Sequence, residues 1–367
     1  MKKKKILVLA TGGTIASAPS PDGLVPTLDV SALLSGIAGV AENYELTAKD
    51  ILSMDSSNIQ PEEWVLIAEK IYEAVQSKEH YDGIVVTHGT DTMAYTASIL
   101  SFMLAGVPIP IVLTGSQLPM ISPMTDAAEN LRYALAMAGS GVPGVFIAFN
   151  RKIILGCRAV KVRTTGFDAF ESVNYPYVAK PGPAGLQIKQ RAIDGRGIFY
   201  SGDAEKVAKA KGLEISKGVG EGQYFTLRDT ICNDVFLIKL TPGLNPTIFD
   251  MLLEMKYKGI VIEAFGAGGL HYVNRDLISK LEKLVQAGIP VVVASQCLYE
   301  KSDLSIYEVG KKALEHGVIS AYDMTTEAAV TKLIWTLGQA RNMDEIRAYF
   351  ATNLVGEVSF GGDDEEE

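Results

Sequence analysis

The amino-acid sequence predicts an α/β protein of two domains, and three observations support this prediction. Short runs of β-branched and other apolar residues alternate with longer amphipathic stretches along most of the chain. The apolar runs are continuous, which is typical of strands that are buried on both faces of a parallel sheet. At 367 residues, the chain is long for one domain and sufficient for two. We therefore expect a parallel sheet in an N-terminal domain and a smaller C-terminal α/β domain.

Apolar runs and amphipathic stretches predict the individual elements of these domains. The predicted strands cover residues 6–10, 84–87, 111–114, 145–149, 235–240, 260–262 and 291–294. The predicted helices cover residues 61–75, 125–139 and 275–288. Pro61 suits the first turn of a helix, either Thr125 or Asp126 supplies a cap for the second helix, and a glycine ends each of the last two.

The stretch from residue 92 to 125 contains no charged residue. A membrane-spanning helix needs about 20 consecutive, mainly apolar residues. Four prolines and several Ser, Thr and Gln residues interrupt this stretch. It therefore predicts a buried helix followed by a buried strand, and no contact with a membrane.

The domain boundaries are predicted from changes in composition. Residues 1–190 form the N-terminal domain and residues 229–360 the C-terminal domain. Residues 191–228 are rich in glycine and lack a strong period, so they suit a linker. Residues 361–367 end in five acidic residues behind two glycines, which predicts a disordered acidic tail.

Charge and cysteine content exclude several classes of protein. The formal net charge of -9 argues against a nucleic-acid partner, which would need a basic face. The three cysteines form no CxxC pair, so a reducing compartment is the natural interpretation. Lysines followed by the apolar residues 6–10 resemble a signal peptide, but the run is too short. We expect a cytoplasmic protein.

Three predicted strands run into turns that combine threonine with glycine. These turns are "LATGGT" at 9–14, "VTHGTDT" at 86–92 and "LTGSQ" at 113–117. Ligands of open α/β sheets bind outside the carboxyl ends of the strands. Glycine there lets backbone N–H groups approach a ligand that a Cβ would block. The turns therefore predict a small-molecule site.

Two kinds of chemistry fit these turns. A phosphate-binding loop is one, although no turn has the G-x-G-x-x-G or G-x-x-x-x-G-K-[ST] spacing. A hydroxyl nucleophile is the other, and it needs a group that takes its proton. Thr14 is the candidate nucleophile, Thr90 and Asp91 place a hydroxyl and a carboxylate together, and Lys161 is a candidate base.

Structural alternatives exist for several of these residues. Asp91 could cap the helix that begins beyond it, which is a common use of aspartate. Lys161 lies between Arg158 and Arg163 in the sequence and could belong to a solvated charge cluster. His88 is expected to pack or to form a hydrogen bond, because the four histidines lack the spacing of metal ligands.

Several motifs together resemble the L-asparaginase family, in particular its cytoplasmic type I branch. "TGGTIAS" (11–17) matches the first active-site sequence of the family, and "GIVVTHGTDTMAYTAS" (83–98) matches the second. The remaining matches are "MDSSNIQPEEW" (54–64), "PIVLTGSQLP" (110–119), "GFDAFES" (166–172) and "DMTTEAAVTKL" (323–333). The resemblance covers nearly the whole chain except residues 186–228 and the tail.

The resemblance implies a fold, a reaction and a set of site residues. The fold is a flavodoxin-like N-terminal sheet with a smaller C-terminal α/β domain, assembled into a homodimer or homotetramer. The reaction is hydrolysis of L-asparagine to L-aspartate and ammonia through an acyl-enzyme, with no metal or organic cofactor. The implied catalytic residues are Thr14, Thr90, Asp91, Lys161 and Tyr307. The implied substrate-binding residues are Gly13, Asp55, Ser56, Ser57, Gly89, Thr90 and Asp91.

Tyr307 enters this set because of a departure from the family pattern. Many relatives place a tyrosine in the loop after the first active-site sequence, and this chain has Leu24 there. Some type I relatives instead use a tyrosine of the C-terminal domain, for which Tyr307 is the candidate. Tyr307 could equally be a packing residue.

Two other functions remain open at this point. The amidotransferase subunit that acts on mischarged glutamyl-tRNA resembles asparaginases, but it normally carries an extra N-terminal domain. We expect no such domain here, because the first motif begins at Thr11. A catalytically silent amino-acid sensor is the other alternative, and the intact Thr14, Thr90, Asp91 and Lys161 argue against it.

Overall fold

Strand β1 (Lys4–Gly12) belongs to a large mixed sheet in the N-terminal part of the chain, where it lies next to the strand at one edge. The computed structural model describes residues 3–20, 23–26, 28–183, 185–214 and 225–360, with only the backbone for 19–20, 23–26 and 41. The predicted acidic tail and residues 215–224 of the predicted linker lie outside the described residues. The chain divides into two compact units, Met1–Gly195 with Ser216–Asp229, and Arg196–Ile215 with Thr230–Glu367.

The first unit contains the large sheet. After β1, its strands are β2 (Ser17–Ser20), β3 (Gly23–Pro26), β4 (Tyr44–Met54), β5 (Gly83–Thr87), β6 (Pro110–Thr114), β7 (Gly144–Phe149), β8 (Lys152–Leu155), β9 (Ala159–Lys161), β10 (Phe170–Ser172), β11 (Ala179–Gly182) and β12 (Gly185–Ile188). The sheet order is β12-β11-β8-β7-β6-β5-β1-β4. From β4 to β7 all neighbours are parallel. Their order, with the second strand of the sheet outside the first, is that of flavodoxin-like sheets, so the predicted fold class is confirmed.

The other end of this sheet differs from the predicted parallel arrangement. Strands β8, β11 and β12 join it antiparallel, and the sequence analysis proposed none of them. Two further hairpins, β2–β3 and β9–β10, lie outside the sheet. The first strand of the second hairpin, β9, ends at Lys161.

Helices cover the sheet because their apolar faces need burial. They are α1 (Val30–Ser35), α2 (Ala38–Ala41), α3 (Pro61–Gln76), α4 (Met93–Met103), α5 (Ala127–Ala138) and α6 (Gln190–Asp194). Helix α3 begins with Pro61 and a capping box between Gln60 and Glu63. It buries Trp64, Ile67 and residues one turn further along. Helix α4 is buried on nearly all sides and precedes β6, as the uncharged stretch predicted.

The second unit is a smaller α/β structure with a four-stranded parallel sheet. The sheet runs in the order β13 (Val235–Lys239), β14 (Gly259–Ala264), β15 (Val291–Ser295) and β16 (Ile319–Ser320). Its helices are α7 (Ala204–Ala210), α8 (Thr247–Glu254), α9 (Ile278–Gln286), α10 (Glu308–Glu315), α11 (Thr326–Gln339) and α12 (Met343–Phe350). Ile260 and Ile262 pack into one core cluster, while Val261 between them packs into another. Helices therefore cover both faces, as the continuous apolar runs predicted.

Helix α11 holds the last described segment of the chain in place. Lys332 and Glu357, both without exposed side-chain surface, form an ion pair at 2.5 Å. Glu357 also accepts hydrogen bonds from the backbone N–H groups of Leu354 and Val355. One turn beyond Lys332, the buried ring of Trp335 meets Tyr349 edge-on, with ring centroids 5.2 Å apart.

The predicted linker at 191–228 contains structure. Helix α6 ends within it at Asp194, and α7 lies in the part that belongs to the second unit. In the described part of the chain, no helix is both long enough and apolar enough to span a membrane.

Candidate active site

The first predicted turn is held by two glycines that follow β1. Gly12 and Gly13 have φ angles of +104° and +80°, which side chains rarely adopt. A Cβ on Gly13 would collide with the backbone of Gly89, and a Cβ on Gly12 with that of Met54. The Gly13 N–H donates to the carbonyl of Met54 at 3.0 Å. The first turn therefore packs backbone to backbone against the second turn and the end of β4.

Thr14 stands at the start of a short 3-10 helix that this turn produces. The helix covers Thr14–Ala16, and the side chain of Thr14 is half-buried. The hydroxyl of Ser17 donates to the carbonyl of Gly13 at 2.9 Å and closes the turn. Thr11 donates to the carbonyl of Thr87 at 2.8 Å, so its hydroxyl joins the ends of β1 and β5.

The segment after β4 brings Ser56 to the second turn. Ser56 is buried, and its side chain lies directly against the backbone of Gly89. Asp55 caps the 3-10 helix Ser56–Asn58 by accepting from the N–H of Ser57 at 2.8 Å. Thr92 donates to the carbonyl of Ser56 at 2.8 Å. Residues distant in sequence thus meet around Gly89.

Lys161 connects the second turn to the β9–β10 hairpin. Its Nζ donates to Thr90 Oγ1 at 2.8 Å and to Asp91 Oδ1 at 2.5 Å. The side chain of Lys161 is only 13% exposed, so it is not part of a solvated cluster. Asp91 does not cap α4, because the N-cap residue is Thr92 and no side-chain hydrogen bond caps the helix there. Both structural alternatives for these residues are wrong.

His88 lies beneath the same turn as a neutral side chain. Its Nδ1 is 2.7 Å from the carbonyl of Gly89, and its Nε2 is 3.0 Å from Thr96 Oγ1. Trp64 Nε1 donates to the same Thr96 oxygen at 3.1 Å, so the Thr96 hydroxyl is free to donate to Nε2. Since the carbonyl of Gly89 can only accept, Nδ1 carries the proton and donates to it. Complete burial lowers the pKa of His88 to about 4.

The third turn contains polar residues that the sequence analysis did not assign to the site. Asp126 does not cap α5 through its side chain. Its carboxylate instead accepts from the backbone N–H groups of Gln117 and Leu118, each at 3.1 Å. Asn130 donates to Asp126 and to the carbonyl of Gly115, both at 3.0 Å. The available sequence signal was that Asp126 follows Gln117 by nine positions and Leu118 by eight, but the role of a helix cap explained this residue equally well.

Tyr307 lies in the second unit, immediately before α10. Its side chain is 60% exposed. The side chain of Leu24 lies outside the described residues. The catalytic role of Tyr307 stays a prediction.

Comparison with known families agrees with both units. The family model "Asparaginase, N-terminal" matches residues 5–194, and the model "Glutaminase/Asparaginase C-terminal domain" matches residues 234–350. The chain belongs to the asparaginase family. This asparaginase is therefore a hydrolase that acts on amides. In the described residues, no group of three or more His, Cys, Asp or Glu side chains could hold a metal ion.

Individual relatives place this asparaginase among the type I enzymes. It is 43% identical to an L-asparaginase of Thermococcus kodakarensis, over 97% of this chain and 99% of the relative. The solved structure of the thermostable L-asparaginase from Thermococcus kodakarensis matches with a TM-score of 0.83 and 41% identity, over 97% of this chain and 100% of the other. L-asparaginase I from Vibrio cholerae matches with a TM-score of 0.78 and 30% identity, over 98% and 100%.

The asparaginase also resembles a component of a tRNA-dependent enzyme. It is 34% identical to a glutamyl-tRNA(Gln) amidotransferase subunit of Methanosphaera stadtmanae, over 97% of this chain and 77% of that relative. The identity is lower than that to the archaeal L-asparaginase.

Proposed function

We propose that this protein is an L-asparaginase, which hydrolyses L-asparagine to L-aspartate and ammonia. The observation that carries the proposal is the contact of Lys161 with both Thr90 and Asp91, beside the turn that presents Thr14. A lysine, a hydroxyl and a carboxylate in contact can transfer protons for a hydroxyl nucleophile. The high identity to an L-asparaginase over nearly the whole of both chains supports the same reaction.

The proposed reaction is a double displacement on Thr14. Its Oγ1 attacks the side-chain amide carbon of asparagine, and the hydroxyl proton passes through Thr90 to Lys161, which accepts it in its neutral amine form. The C–N bond then breaks, the nitrogen takes up a proton and leaves as ammonia, and an ester remains on Thr14. Water attacks this ester, which releases aspartate and restores the hydroxyl. Backbone N–H groups of the glycine turns stabilise the negative oxygen formed in each step.

The residues around Gly89 are proposed to bind the amino-acid head of the substrate. Asp91 remains accessible, since its side chain is 59% exposed, and its carboxylate suits the α-ammonium group. Ser56, with Asp55 and Ser57 beside it, is proposed to bind the same α-amino-acid head. Gly13 and Gly89 are proposed to present backbone groups to this ligand, because without a Cβ the two turns and the side chain of Ser56 pack directly against one another.

The resemblance to type I asparaginases supports further proposals about the whole protein. We propose that it acts in the cytoplasm as a homodimer or homotetramer, without a nucleic-acid or membrane partner. Residues 1–190 are the proposed catalytic domain, 191–228 the linker and 229–360 the C-terminal domain. The proposed catalytic set includes Tyr307 in addition to Thr14, Thr90, Asp91 and Lys161.

The test of the proposal is ammonia release by the purified protein at neutral pH, with L-asparagine and L-glutamine assayed in parallel. We expect release from asparagine. Thr14→Ala should abolish it while leaving the thermal unfolding of the protein unchanged, because the hydroxyl is needed for chemistry and not for packing. A Thr14→Ala variant with the wild-type rate would refute the assignment of the nucleophile.

Inactivity of the folded wild-type protein towards both amino acids would contradict the proposed function. Binding assays would then distinguish the two alternatives. Binding of glutamyl-tRNA would favour an amidotransferase subunit, while binding of a free amino acid without turnover would favour a sensor.

A further inference from the structure

The carboxamide of Gln117 lies between Thr90 and the β9–β10 connection at residues 163–169. We propose that Gln117 is a positioning residue that holds the Thr90 hydroxyl in place beside Lys161. The inference rests on the proposed function, because it concerns the proton path of that reaction. Gln117 belongs to the third turn, and neither the sequence motifs nor the catalytic set above assigns it a role.

The surroundings of Gln117 determine which end of its amide faces Thr90. Nε2 lies 3.1 Å from the carbonyl oxygen of Thr164 and 3.0 Å from that of Gly166. Carbonyl oxygens only accept hydrogen bonds, so the NH2 group must occupy this position and donate to both. The opposite end, Oε1, then faces Thr90 Oγ1 at 3.4 Å.

This orientation determines the direction of the hydrogen bonds at Thr90. An amide oxygen can only accept, so the Thr90 hydroxyl donates to Gln117. The lone pairs of Thr90 Oγ1 are then available to Lys161 Nζ, which donates to it at 2.8 Å. While Lys161 carries its proton, the hydrogen bonds therefore run from Lys161 to Thr90 to Gln117. The bond to Gln117 is long and weak, so it holds Thr90 in place and still lets the hydroxyl turn to a neutral Lys161 during proton transfer.

Hydrogen bonds hold the backbone of Gln117 in place, and with it the position from which the side chain extends. Its N–H donates to the Asp126 carboxylate at 3.1 Å, and Asn130 donates to the same carboxylate at 3.0 Å. On the other side, the connection that Gln117 contacts is closed by a hydrogen bond from the N–H of Val162 to the carbonyl of Ala169, at 2.8 Å. Gln117 thus joins the turn that follows β6 to the segment that follows Lys161.

Two substitutions separate this role from simple packing. Gln117→Leu keeps much of the volume and removes all three side-chain hydrogen bonds. We expect kcat for L-asparagine to fall at least about tenfold, with KM within about threefold, because the Thr90 hydroxyl loses its acceptor. Gln190→Leu is the matched control, since it removes a glutamine hydrogen bond to Asp194 on the surface helix α6. It should leave both constants unchanged.

Gln117→Glu adds a readout that a packing role would not change. At neutral pH the new carboxylate can accept from Thr90 but has no proton to donate to Thr164 and Gly166. Its protonation at acid pH restores one donor. We expect the ratio of its kcat to the wild-type kcat to rise at least about threefold as the pH falls from 7.5 to 5, because pH 5 approaches the usual range of carboxyl pKa values. The same ratio for Gln117→Leu should stay constant.

The outcomes distinguish this inference from the proposed function. Inactive wild-type protein overturns the proposed function and, with it, the inference. Active wild-type protein with a Gln117→Leu variant of normal kcat overturns only the inference. So does a Gln117→Glu variant whose ratio to wild type does not change with pH.

Discussion

Lys161 and His88 are both ionisable and lie within the same group of turns, but the structure surrounds them differently. Lys161 faces a hydroxyl and the carboxylate of Asp91. His88 has only neutral partners, the carbonyl of Gly89 and the hydroxyl of Thr96. These contacts support the proposed role of Lys161 in proton transfer. His88 is placed to support the turn as a neutral side chain.

The proposed role of Lys161 predicts the effect of Lys161→Met. Loss of a group that transfers protons typically lowers the rate by about 10²–10⁴-fold. We expect kcat for L-asparagine to fall by at least about 100-fold, with a much smaller change in KM. Lys70→Met, at a lysine that pairs with Glu73 on α3, is the control. An unchanged kcat in Lys161→Met would remove this residue from the mechanism.

Tyr307→Phe tests the tyrosine that is proposed to replace the one missing at Leu24. We expect turnover to slow by more than tenfold, equivalent to about 1.4 kcal/mol, if the hydroxyl contacts the reacting groups. Tyr299→Phe is a suitable control, because both tyrosines are 60% exposed. An effect below about twofold in steady-state kinetics would make Tyr307 a packing residue.

The buried His88 predicts a dependence of stability on pH. Its pKa is lowered from 6.5 to about 4 in the folded protein. Between these values the unfolded chain binds more protons than the folded one, so stability is lost as the pH falls from about 6.5 to about 4. The loss has an upper limit of about 3 kcal/mol.

Chemical denaturation at several pH values measures this contribution. The difference in unfolding free energy between wild type and His88→Gln should shrink as the pH falls through that window. His80→Asn, at an exposed histidine, is the control. A constant difference for His88→Gln would contradict the prediction.

At the scale of elements, the glycine turn after β1 offers a matched comparison. Gly13 and Gly141 have nearly the same φ, +80° and +79°, but only Gly13 has backbone atoms where a Cβ would stand. Gly141→Ala therefore measures the cost of a positive φ without a collision, about 1 kcal/mol. Gly13 combines its positive φ with a ψ of 178°, which is essentially restricted to glycine, and Gly13→Ala also adds a collision with Gly89. We therefore expect a larger loss of stability and at least about a tenfold loss of kcat/KM. Equal effects of the two substitutions would show that the contact with Gly89 is unimportant.

Most of the strands that the sequence predicted are buried, and β13, with half-buried and exposed residues, is an exception. The continuous apolar runs of β1, β5, β6 and β7 are buried along nearly their whole length and were all predicted. Strand β4 was missed because it lies at the edge of the sheet and carries Glu45, Lys49 and Asp50 among half-buried residues. Apolar pattern cannot indicate such a strand.

The site was predicted where local motifs define it and missed where contacts are distant. The turns with Thr14, Thr90 and Asp91 follow strands directly, so the sequence placed them at one sheet edge. Lys161 was a candidate base, but its contact with Thr90 spans 71 residues and the sequence alone could not show it. Asp126, or Thr125 before it, was interpreted as a cap because a helix begins there, although the carboxylate of Asp126 holds the turn of Gln117.

At the scale of the whole molecule, each unit has its own core, and the second is closed by a buried ion pair. Breaking such a pair leaves a charge buried without its partner, which typically costs about 3–5 kcal/mol. We expect Glu357→Gln to lower the unfolding free energy by that amount, because the ammonium of Lys332 stays buried. The double variant Lys332→Met/Glu357→Gln should recover part of the loss, because the glutamine oxygen can still accept from the backbone N–H groups of Leu354 and Val355.

Chemical denaturation of these variants checks the prediction. Glu308→Gln breaks the exposed pair with Lys312 on α10 and should change stability little. A Glu357→Gln variant as stable as Glu308→Gln would show that the buried pair does not hold the end of the chain in place.

The chain has only two tryptophans, and each compact unit contains one of them. The indole of Trp64 donates a hydrogen bond to Thr96 next to His88, and that of Trp335 packs against Tyr349. Each unit therefore has an intrinsic fluorophore of its own. Trp335→Phe would leave an emission spectrum that reports the first unit alone, and Trp64→Phe one that reports the second. Coincident denaturation midpoints for the two probes would mean that the units melt as one cooperative body, and separated midpoints that each melts by itself.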